Sequence, residues 1–381
     1  MSAGRKLLAR LYATLPRSLQ MTAARRYARR KERRLTRLRT PTAVILYVTQ
    51  RCNARCAHCF YWKELDAKVE ELSLDDLRKL AASFKHPITL SITGGEPFLR
   101  TDLYDIAESF HRRNGTREIA FATNGMLTDR IVETCEKVLG GLDLELLSVQ
   151  VSLDGLEQTH NEIRAVPAFQ PAVETVRRLA DLAKKDQRFS VQVSCCIQKK
   201  NIGELREFVE FMIPMRVPLR FALIRGESFG TWSLPDGSSS GINPRDQESP
   251  LVPIDQLEEF FAWLRNRNDE TDGGFWSPMQ QDKIDLSLRM LREQRKCIAC
   301  YAGSIDGVVY ANGDVALCEL TRPVGNLHDF DMDIEALWRS AGADEMREKI
   351  RACFCIHGCN LVTGLLFRPE HIRDAILRKG R

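Results

Sequence analysis

Short runs of β-branched and other apolar residues alternate with helical patterns from about residue 42, and no other feature limits the possible folds as strongly. This alternation is typical of parallel strands joined by crossover helices. Six strand and helix units can be counted, with strands at residues 43–49, 88–93, 118–123, 144–153, 189–197 and 219–224. Six units are too few for the usual eight-stranded barrel, so we predict an α/β fold, an open and partial (β/α)6 TIM-type barrel.

The regions between and after these strands carry helical and loop patterns. Ser73 is a plausible N-cap for the first crossover helix. After residue 224 the repeat stops, and residues 232–250 are rich in Ser, Gly, Pro and Asp, which predicts an exposed loop. Helices are predicted at residues 74–84, 102–112, 254–267 and 280–295.

The composition is typical of a globular protein, with 44% hydrophobic and 28% charged residues. No uninterrupted apolar run reaches the roughly 18 residues that a membrane span needs. We expect a basic N-terminal arm at residues 1–40, the partial barrel at 41–230, a linker loop with helices at 231–296, a cysteine-bearing module at 297–360 and a basic tail at 361–381.

The N-terminal arm differs in charge from the rest of the chain. Residues 1–40 contain thirteen Lys or Arg and one acid, a net charge of +12, whereas the whole chain carries +5. Leu8, Leu11, Tyr12 and Leu15 fall at helical spacing, which fits an amphipathic helix on an anionic membrane surface. The alternatives are a solvated arm packed on the barrel and a nucleic-acid contact. Because the arm has few aromatic residues, no nucleic-acid partner is expected.

The cysteines indicate the cellular environment of the chain. A chain of this length without an apolar signal sequence is unlike a secreted disulfide scaffold, so we expect a reducing, cytoplasmic location. Binding of the arm would make that location peripheral, at the inner membrane face. Nine of the twelve cysteines fall into two groups, at residues 52–59 and 297–359. We interpret Cys135, Cys195 and Cys196, which lie between the groups, as buried apolar residues.

The strongest chemical signal is the spacing C-x3-C-x2-C formed by Cys52, Cys56 and Cys59, directly after the first predicted strand. A loop there lies at the carboxyl edge of the sheet, where α/β barrels place their active sites. Three thiolates can hold three irons of a 4Fe-4S cube and leave the fourth iron open to a small molecule. The alternatives are a zinc knuckle, for which His58 would have to fold back as the fourth ligand, and a disulfide.

This loop resembles the signature of the radical S-adenosylmethionine (SAM) superfamily, in which an aromatic residue stands beside the last cysteine. Here Phe60, Tyr61 and Trp62 follow it, and the resemblance implies that Tyr61 is one of the cofactor-binding residues. It also implies that the methionine group of SAM chelates the open iron. In that superfamily, one electron from the cluster then breaks the sulfonium bond and gives a 5′-deoxyadenosyl radical.

Other motifs of the superfamily lie at the ends of the next predicted strands. Gly94, Gly95 and Glu96 end the second strand. The two glycines allow the backbone to approach a ligand, and Glu96 is expected to accept hydrogen bonds from the methionine ammonium group. Thr123 and Asn124 end the third strand at the matching position, and the resemblance counts them among the SAM contacts.

The later strands carry the remaining expected contacts. Ser152 and Asp154 end the fourth strand, and His160 and Arg164 follow them. The resemblance implies that Ser152 and Arg164 hold the methionine carboxylate. It also implies that Asn201 contacts the ribose and that Leu223 packs against the adenine. We assign no catalytic side chain; Cys195 and Cys196 are speculative hydrogen donors.

A second cysteine pattern lies near the C-terminus. Residues 308–317, with Asn312 and Gly313 between two short β runs, predict a hairpin that brings Cys318 back towards Cys300. A cysteine pair from the end of a helix around residues 334–350 could complete a four-thiolate site. Zinc is the alternative metal, since four cysteines suit either.

This pattern resembles the SPASM and twitch extensions of radical SAM enzymes, which begin C-x9-15-G-x4-C. The last cysteines form a shorter array than a full SPASM domain. We therefore expect one auxiliary 4Fe-4S cluster, bound by Cys300, Cys318, Cys355 and Cys359, with Cys353 or Cys297 as substitutes.

The sequence thus predicts a radical SAM enzyme that abstracts hydrogen from an unreactive carbon of a substrate. The resemblance favours a peptide or protein substrate and implies a reductant such as a flavodoxin or ferredoxin. The first alternative is the modification of a lipid, glycan or other small molecule at the membrane surface. The second is a non-catalytic, cysteine-rich binding protein that holds zinc.

Overall fold

The six predicted strands form a continuous parallel sheet. The computed structural model describes residues 12–224, 231–232, 251–271 and 274–379. Each of the six strands begins and ends within two residues of its predicted bounds. They are Ala43–Tyr47 (β1), Thr89–Thr93 (β2), Glu118–Thr123 (β3), Leu146–Ser152 (β4), Phe189–Ile197 (β5) and Leu219–Leu223 (β6).

These six strands pair in sequence order, and every pair is parallel. In the described part of the chain β6 pairs only with β5, so the sheet does not close. The predicted α/β fold with a partial barrel is therefore confirmed. The five other strands are Thr231–Trp232 (β7), Asp306–Val309 (β8), Asp314–Ala316 (β9), Gly325–Asn326 (β10) and Phe354–Cys355 (β11).

The cysteine-bearing module extends the same sheet on its other side. β8 pairs with β1 in parallel, and β9 turns back antiparallel to β8. The hairpin predicted at residues 308–317 is therefore present, and Gly313 supplies its turn with a φ of 88°. A left-handed backbone of this kind is accessible to glycine at little cost. The module is thus joined to the barrel through backbone hydrogen bonds.

The helices cover the outer face of the sheet. In the first crossover helix the Ser73 hydroxyl accepts from the Asp76 amide, and the Asp76 carboxylate accepts from the Ser73 amide, a capping box. The helices are Arg17–Leu35 (α1), Leu74–Ser83 (α2), Leu103–Asn114 (α3), Thr128–Gly141 (α4), Glu157–Arg164 (α5), Phe169–Lys185 (α6), Leu205–Met212 (α7), Ile254–Glu270 (α8), Pro278–Glu293 (α9), Ile334–Trp338 (α10), Ala341–Ala352 (α11), Gly358–Leu365 (α12) and Pro369–Lys379 (α13).

One predicted helix is wrong in its extent. The segment around residues 334–350 forms two helices, α10 and α11, instead of one. The break falls at Ser340, whose hydroxyl accepts a hydrogen bond from the amide of Ala343. An N-cap of this kind starts a new helix because it satisfies a backbone donor that the preceding helix cannot.

The strands alternate between two environments. One set of side chains, which includes Leu90, Val149 and Val193, is fully buried against the helices. The alternate set faces the inside of the barrel and is largely polar. It includes Ser91, Gln150, Ser194 and Arg220, which line an internal cavity. The period of two along each strand therefore separates a packed layer from a polar lumen.

The helices after the sixth strand pack against the sheet. Phe221 of β6 contacts Phe260 and Phe261 of α8, with ring centroids 5.6 and 6.0 Å apart. Trp276, before α9, stacks on Phe261 at 5.7 Å. The aromatic contacts fix α8 beside β6. Most of the loop predicted at residues 232–250 lies outside the described residues, and Trp232 belongs to β7.

The described part of the basic arm lies on the protein. Ala24 and Ala28 of α1 are buried against Ile372 of α13. The Tyr301 hydroxyl donates to Glu32 at 2.8 Å. In the residues that the structure describes, no helix is both long and apolar enough to pass through a bilayer. Leu8 and Leu11 of the predicted amphipathic segment lie outside these residues.

Candidate functional site

The cysteine loop follows β1 at the carboxyl edge of the sheet. It carries Cys52, Cys56 and Cys59, none of which forms a disulfide. Two backbone hydrogen bonds attach it to the end of α5, from Arg55 to Arg164 at 3.1 Å and from Ala57 to Ile163 at 2.8 Å. The loop that follows β1 is therefore attached to the helix that follows β4. Both lie at the carboxyl edge of the sheet, where the sequence predicts the site.

The thiols of this loop need a positive partner in order to ionise. Burial raises the pKa of Cys52 to about 11 and that of Cys59 to about 12. The neighbouring thiols contribute to both shifts, since like charges repel. A bound metal cation reverses this effect because it deprotonates a coordinating thiol. Three thiols gathered in this way fit an iron-sulfur cluster, whose irons supply the missing charge.

A buried arginine connects this loop to the fourth strand. Arg164 donates from Nη1 to the Cys56 sulfur at 3.4 Å, and its Nη2 lies 2.6 Å from the Asp154 carboxylate. Burial alone would lower the pKa of Arg164, but the charges of Asp154 and Cys56 raise it, so the guanidinium stays cationic. Its Nε is buried and has no hydrogen-bond partner among the described residues. This donor is left for a ligand, which fits the predicted anionic group.

The two predicted glycines serve the cysteine loop itself. A Cβ atom on Gly94 would lie 2.5 Å from the Thr49 carbonyl oxygen, and one on Gly95 would lie 2.2 Å from that of Arg51. Both distances are too short for any side chain. The amides of Gly95 and Glu96 donate to the same two carbonyls at 2.8 Å. The sequence predicts that these glycines let the backbone approach a ligand. In the structure they let the loop after β2 approach the cysteine loop.

Glu96 ties the second strand to the third. Its buried carboxylate accepts from the Asn124 amide and the Thr123 hydroxyl, both at 2.8 Å, and from the Phe98 amide at 3.2 Å. Burial raises its pKa to about 7. The Asn124 side chain in turn donates to Asn53 of the cysteine loop at 2.7 Å. The contact between Glu96 and a methionine ammonium group stays a prediction.

A cavity of about 630 Å³ lies inside the barrel, below the cysteine loop. This volume is within the range of about 300–1,000 Å³ of small-molecule sites. The structure brings four of the predicted SAM contacts together on its wall: Ser152, Asp154, Arg164 and Leu223. The lining does not include Gly94, Gly95, Glu96, Thr123 or Asn124, and their contacts with the cofactor stay a prediction.

The aromatic residues after Cys59 point to different places. Phe60 lines the internal cavity. Tyr61 is buried between Tyr47 and Tyr310, with ring centroids 4.9 and 5.8 Å away, and lines a separate cavity on the side of the C-terminal module. Phe60 is therefore the aromatic residue that faces the cavity, and a cofactor contact of Tyr61 stays a prediction.

Several residues that support the site carried little signal in the sequence. Burial lowers the pKa of His58 to about 4, so it is neutral, and it lies 3.3 Å from Gln198. Asn201 was expected at the ribose. Instead, its buried side chain donates to the carbonyls of Asp154 and Cys196 at 2.7 and 2.8 Å. His58 stands within the cysteine motif, but nothing local to Gln198 indicated its position.

The C-terminal cysteines separate into two groups. One narrow cavity is lined by Cys300, Cys318, Cys353 and Cys355. The pKa of Cys300 is raised to about 11, mainly by burial and in part by the neighbouring Cys355 thiol. The Asn360 side chain donates to the Cys318 sulfur at 3.3 Å. Four thiols around one space, three of them on buried residues, fit a closed cluster.

Cys359 lies apart from that group, on the wall of the internal cavity. Its sulfur and one ligand atom each of Glu319 and His357 lie within 4.8 Å of one another. Glu319 accepts from the Tyr47 hydroxyl at 2.5 Å and lies 2.7 Å from His357. Of the predicted ligands, Cys300, Cys318 and Cys355 thus line the narrow cavity together with Cys353, whereas Cys359 lines the internal one, and the ligand set stays a prediction.

An open α/β barrel with three free cysteines in a loop at its carboxyl edge, and a second group of cysteines, is the arrangement expected of an iron-sulfur enzyme that generates radicals. The family model described as "Radical SAM superfamily" matches residues 46–212. The match runs from β1 to the end of α7, less than half of the chain, and identifies this part as the domain of a radical SAM enzyme. Its cofactors are accordingly a 4Fe-4S cluster and SAM.

One curated relative matches about half of the chain. Fe-coproporphyrin III synthase from Methanosarcina barkeri is 30% identical over 183 residues, which are 46% of this chain and 42% of that protein. The aligned part thus spans less than half the length of this relative.

Two solved structures share the fold. SuiB of Streptococcus suis, bound to the precursor peptide SuiA, superimposes with a TM-score of 0.60 at 15% identity, over 89% of this chain and 74% of SuiB. The protein anSMEcpe, with bound AdoMet and the Cp18Cys peptide, superimposes with a TM-score of 0.56 at 15% identity, over 90% of this chain and all of that one. At this identity the similarity supports the shared fold.

Proposed function

We propose that this enzyme binds its radical-generating 4Fe-4S cluster through Cys52, Cys56 and Cys59 and modifies a carbon of a peptide substrate. When bound, the cluster and SAM supply a 5′-deoxyadenosyl radical by one-electron reduction. A small electron carrier such as a flavodoxin or ferredoxin is the proposed reductant. The observation that carries this proposal is the position of the three-cysteine loop, directly above a cavity with a buried, cationic Arg164.

The protein groups have separate tasks in this proposal. The three cysteines hold the cluster, and Arg164 donates to the Cys56 sulfur while Asp154 fixes its orientation. The free Nε of Arg164, together with Ser152, is available for the SAM carboxylate. Phe60 and Leu223 provide apolar wall for the rest of the nucleotide and keep water from the reacting carbon.

SAM cleavage tests the ligand assignment. Anaerobically reconstituted protein treated with dithionite is expected to release 5′-deoxyadenosine, measured by chromatography. The Cys56→Ala variant should lose this activity completely, because two thiolates cannot hold the site-differentiated cluster. Cys135→Ala is the matched control, since Cys135 is buried in α4 away from the loop. Wild-type activity in Cys56→Ala, or none in the wild type, would sink the proposal.

We also propose that Cys300, Cys318, Cys353 and Cys355 bind one auxiliary 4Fe-4S cluster. Their shared cavity supports this set over the one that includes Cys359. The auxiliary site closes with four protein thiolates, so it has no open position for SAM. A closed cluster of this kind suits electron transfer or structural support.

A peptide is the proposed substrate because SuiB and anSMEcpe, which share the fold, both have bound peptides. The competing class is a lipid or other molecule at a membrane surface. This alternative is supported by α1, which exposes several arginines together with Leu19 and Tyr27. Both classes are compatible with the polar lumen of the barrel.

Substrate-dependent turnover separates the two classes. Synthetic peptides encoded beside the gene and vesicles of anionic phospholipid are added separately to the reduced enzyme with SAM. A peptide substrate is expected to raise the rate of 5′-deoxyadenosine formation above the substrate-free rate. The mass of the peptide is expected to change by the mass of one or more hydrogen atoms. Stimulation by vesicles alone would favour the membrane class and contradict the peptide proposal.

A further inference from the structure

Two cations line the internal cavity together. Arg220 projects from β6 and Lys283 from α9. Lys283 is only 6% exposed, and its ammonium group donates to the Phe221 carbonyl at 2.7 Å. Arg220 donates to the Gln150 side chain at 3.2 Å. Both cations are therefore held by neutral acceptors.

Within the described residues, neither cation forms an ion pair. The two positive charges also disfavour each other, since burial and the charge of Arg220 lower the pKa of Lys283 to about 7. Burial likewise lowers the pKa of Arg220. Burying two cations together is costly unless an anion joins them. The guanidinium has five N–H donors and the ammonium three, and the contacts described above use one of each.

The acids on the same wall are engaged elsewhere. Asp306 accepts from the Thr363 hydroxyl at 3.0 Å. Glu319 is bound by Tyr47 and His357, as described above. Neither carboxylate contributes to the charge environment of Arg220 or Lys283, whereas the Cys359 thiol acts on both. The cavity therefore presents a concentrated positive charge beside Cys359.

We propose that Arg220 and Lys283 form an anion subsite that binds a carboxylate of the substrate, either an acidic side chain or the C-terminal carboxylate of a peptide. The proposal rests on the proposed function only in treating this cavity as the substrate site. A carboxylate can accept two hydrogen bonds from a guanidinium and one from an ammonium group, which satisfies both cations at once. The subsite would anchor the substrate beneath the cysteine loop, with its reacting carbon between the two ends of the cavity.

Cys359 is a built-in reporter of this charge because its thiol lies beside both cations and is accessible from the cavity. Iodoacetate and iodoacetamide alkylate thiols by the same reaction, with iodide as the leaving group, and differ mainly in charge. The rates at Cys359 are measured by mass spectrometry of its peptide, with anaerobic, cluster-loaded, full-length protein. The measurement needs no SAM cleavage, so its failure is distinct from failure of the radical chemistry.

Iodoacetate, the anionic reagent, should react more slowly with Cys359 relative to iodoacetamide when either cation is removed. We expect the ratio of the iodoacetate rate to the iodoacetamide rate to fall about tenfold in Arg220→Gln and in Lys283→Gln, the size of a screened charge interaction at short range. Lys283→Met is a second variant that keeps the buried stem of the side chain. Arg206→Gln is the control, because Arg206 pairs with Glu259 at the surface. Circular dichroism checks that each variant is folded.

Protection by small ligands identifies the kind of carboxylate. The probes are acetyl-glutamate α-methylamide, which has a side-chain carboxylate, acetyl-glutamine, which has an α-carboxylate, and acetyl-glutamine methylamide, which has neither. A carboxylate probe should slow alkylation of Cys359 by iodoacetamide, and the uncharged probe should not. Equal rate ratios in wild type and variants would overturn the subsite. So would a Cys359 that reacts only after cluster removal, since its thiolate would then bind iron and the cations would serve that cluster.

Discussion

Gly95 is the residue at which the second strand's loop comes closest to the cysteine loop. An alanine Cβ there would lie 2.2 Å from the Arg51 carbonyl oxygen, and backbone cannot yield as a flexible side chain can. We expect Gly95→Ala to displace the cysteine loop and to reduce the iron content of the purified protein by at least about half, with a stability cost of about 1–3 kcal/mol.

Gly140→Ala is the matched control for this substitution. Gly140 lies in α4, and a Cβ there would meet no atom within 4 Å. Alanine is the better helix former by about 1 kcal/mol, so this variant should be unchanged or slightly more stable, with full iron content. Iron and sulfide analysis and thermal melting measure both variants. Full iron in Gly95→Ala would mean that the two loops are not coupled as described.

Functional residues could be predicted from the sequence where they lie close together along the chain. Cys52, Cys56 and Cys59 follow one another within one loop, and their spacing alone indicated a metal site. The distant partners were not visible, because Gln198 reaches His58 of that loop from the end of β5, and Lys283 reaches the cavity from α9. Their roles depend on how β5 and α9 pack, which no local pattern encodes.

At the level of elements, the strands were predictable because their side chains alternate. In β5 every second residue is buried, from Phe189 to Ile197. The amino-acid sequence of this strand shows the same alternation of apolar and polar residues over most of its length. The pairing of β8 with β1 was not predictable. These strands are separated by some 260 residues in sequence, and such non-local pairing is determined only when the whole sheet assembles.

Helix ends were predictable where a cap is explicit. Ser73 and Asp76 form the capping box that begins α2, as the sequence suggested. Ser340 carries an N-cap of the same kind, yet the apolar pattern on either side of it was interpreted as one helix. The polar residue inside an apolar pattern was the available signal, and the local hydrogen bond decided the structure.

At the scale of the whole molecule, the barrel and the C-terminal module share one sheet and one cavity. β8 continues the sheet beyond β1, and Cys318, Glu319 and Cys359 reach the wall of the barrel cavity. The proposed auxiliary cluster therefore lies against the same internal space as the proposed SAM site. A substrate in that space would contact residues from both regions, so the module is expected to affect substrate binding as well as electron transfer.

The two groups of C-terminal cysteines lead to a prediction about metal content. If Cys353 completes the auxiliary site, Cys353→Ala should lose about four irons per chain, since a cube with three thiolates and no SAM at its open iron is labile. Cys359→Ala should keep the wild-type iron content, because its thiol lies in the other cavity. Iron and sulfide analysis with electron paramagnetic resonance of the reduced proteins measures both. The reverse result, with iron lost in Cys359→Ala and retained in Cys353→Ala, would return Cys359 to the ligand set and make Arg220 and Lys283 charge partners of the cluster.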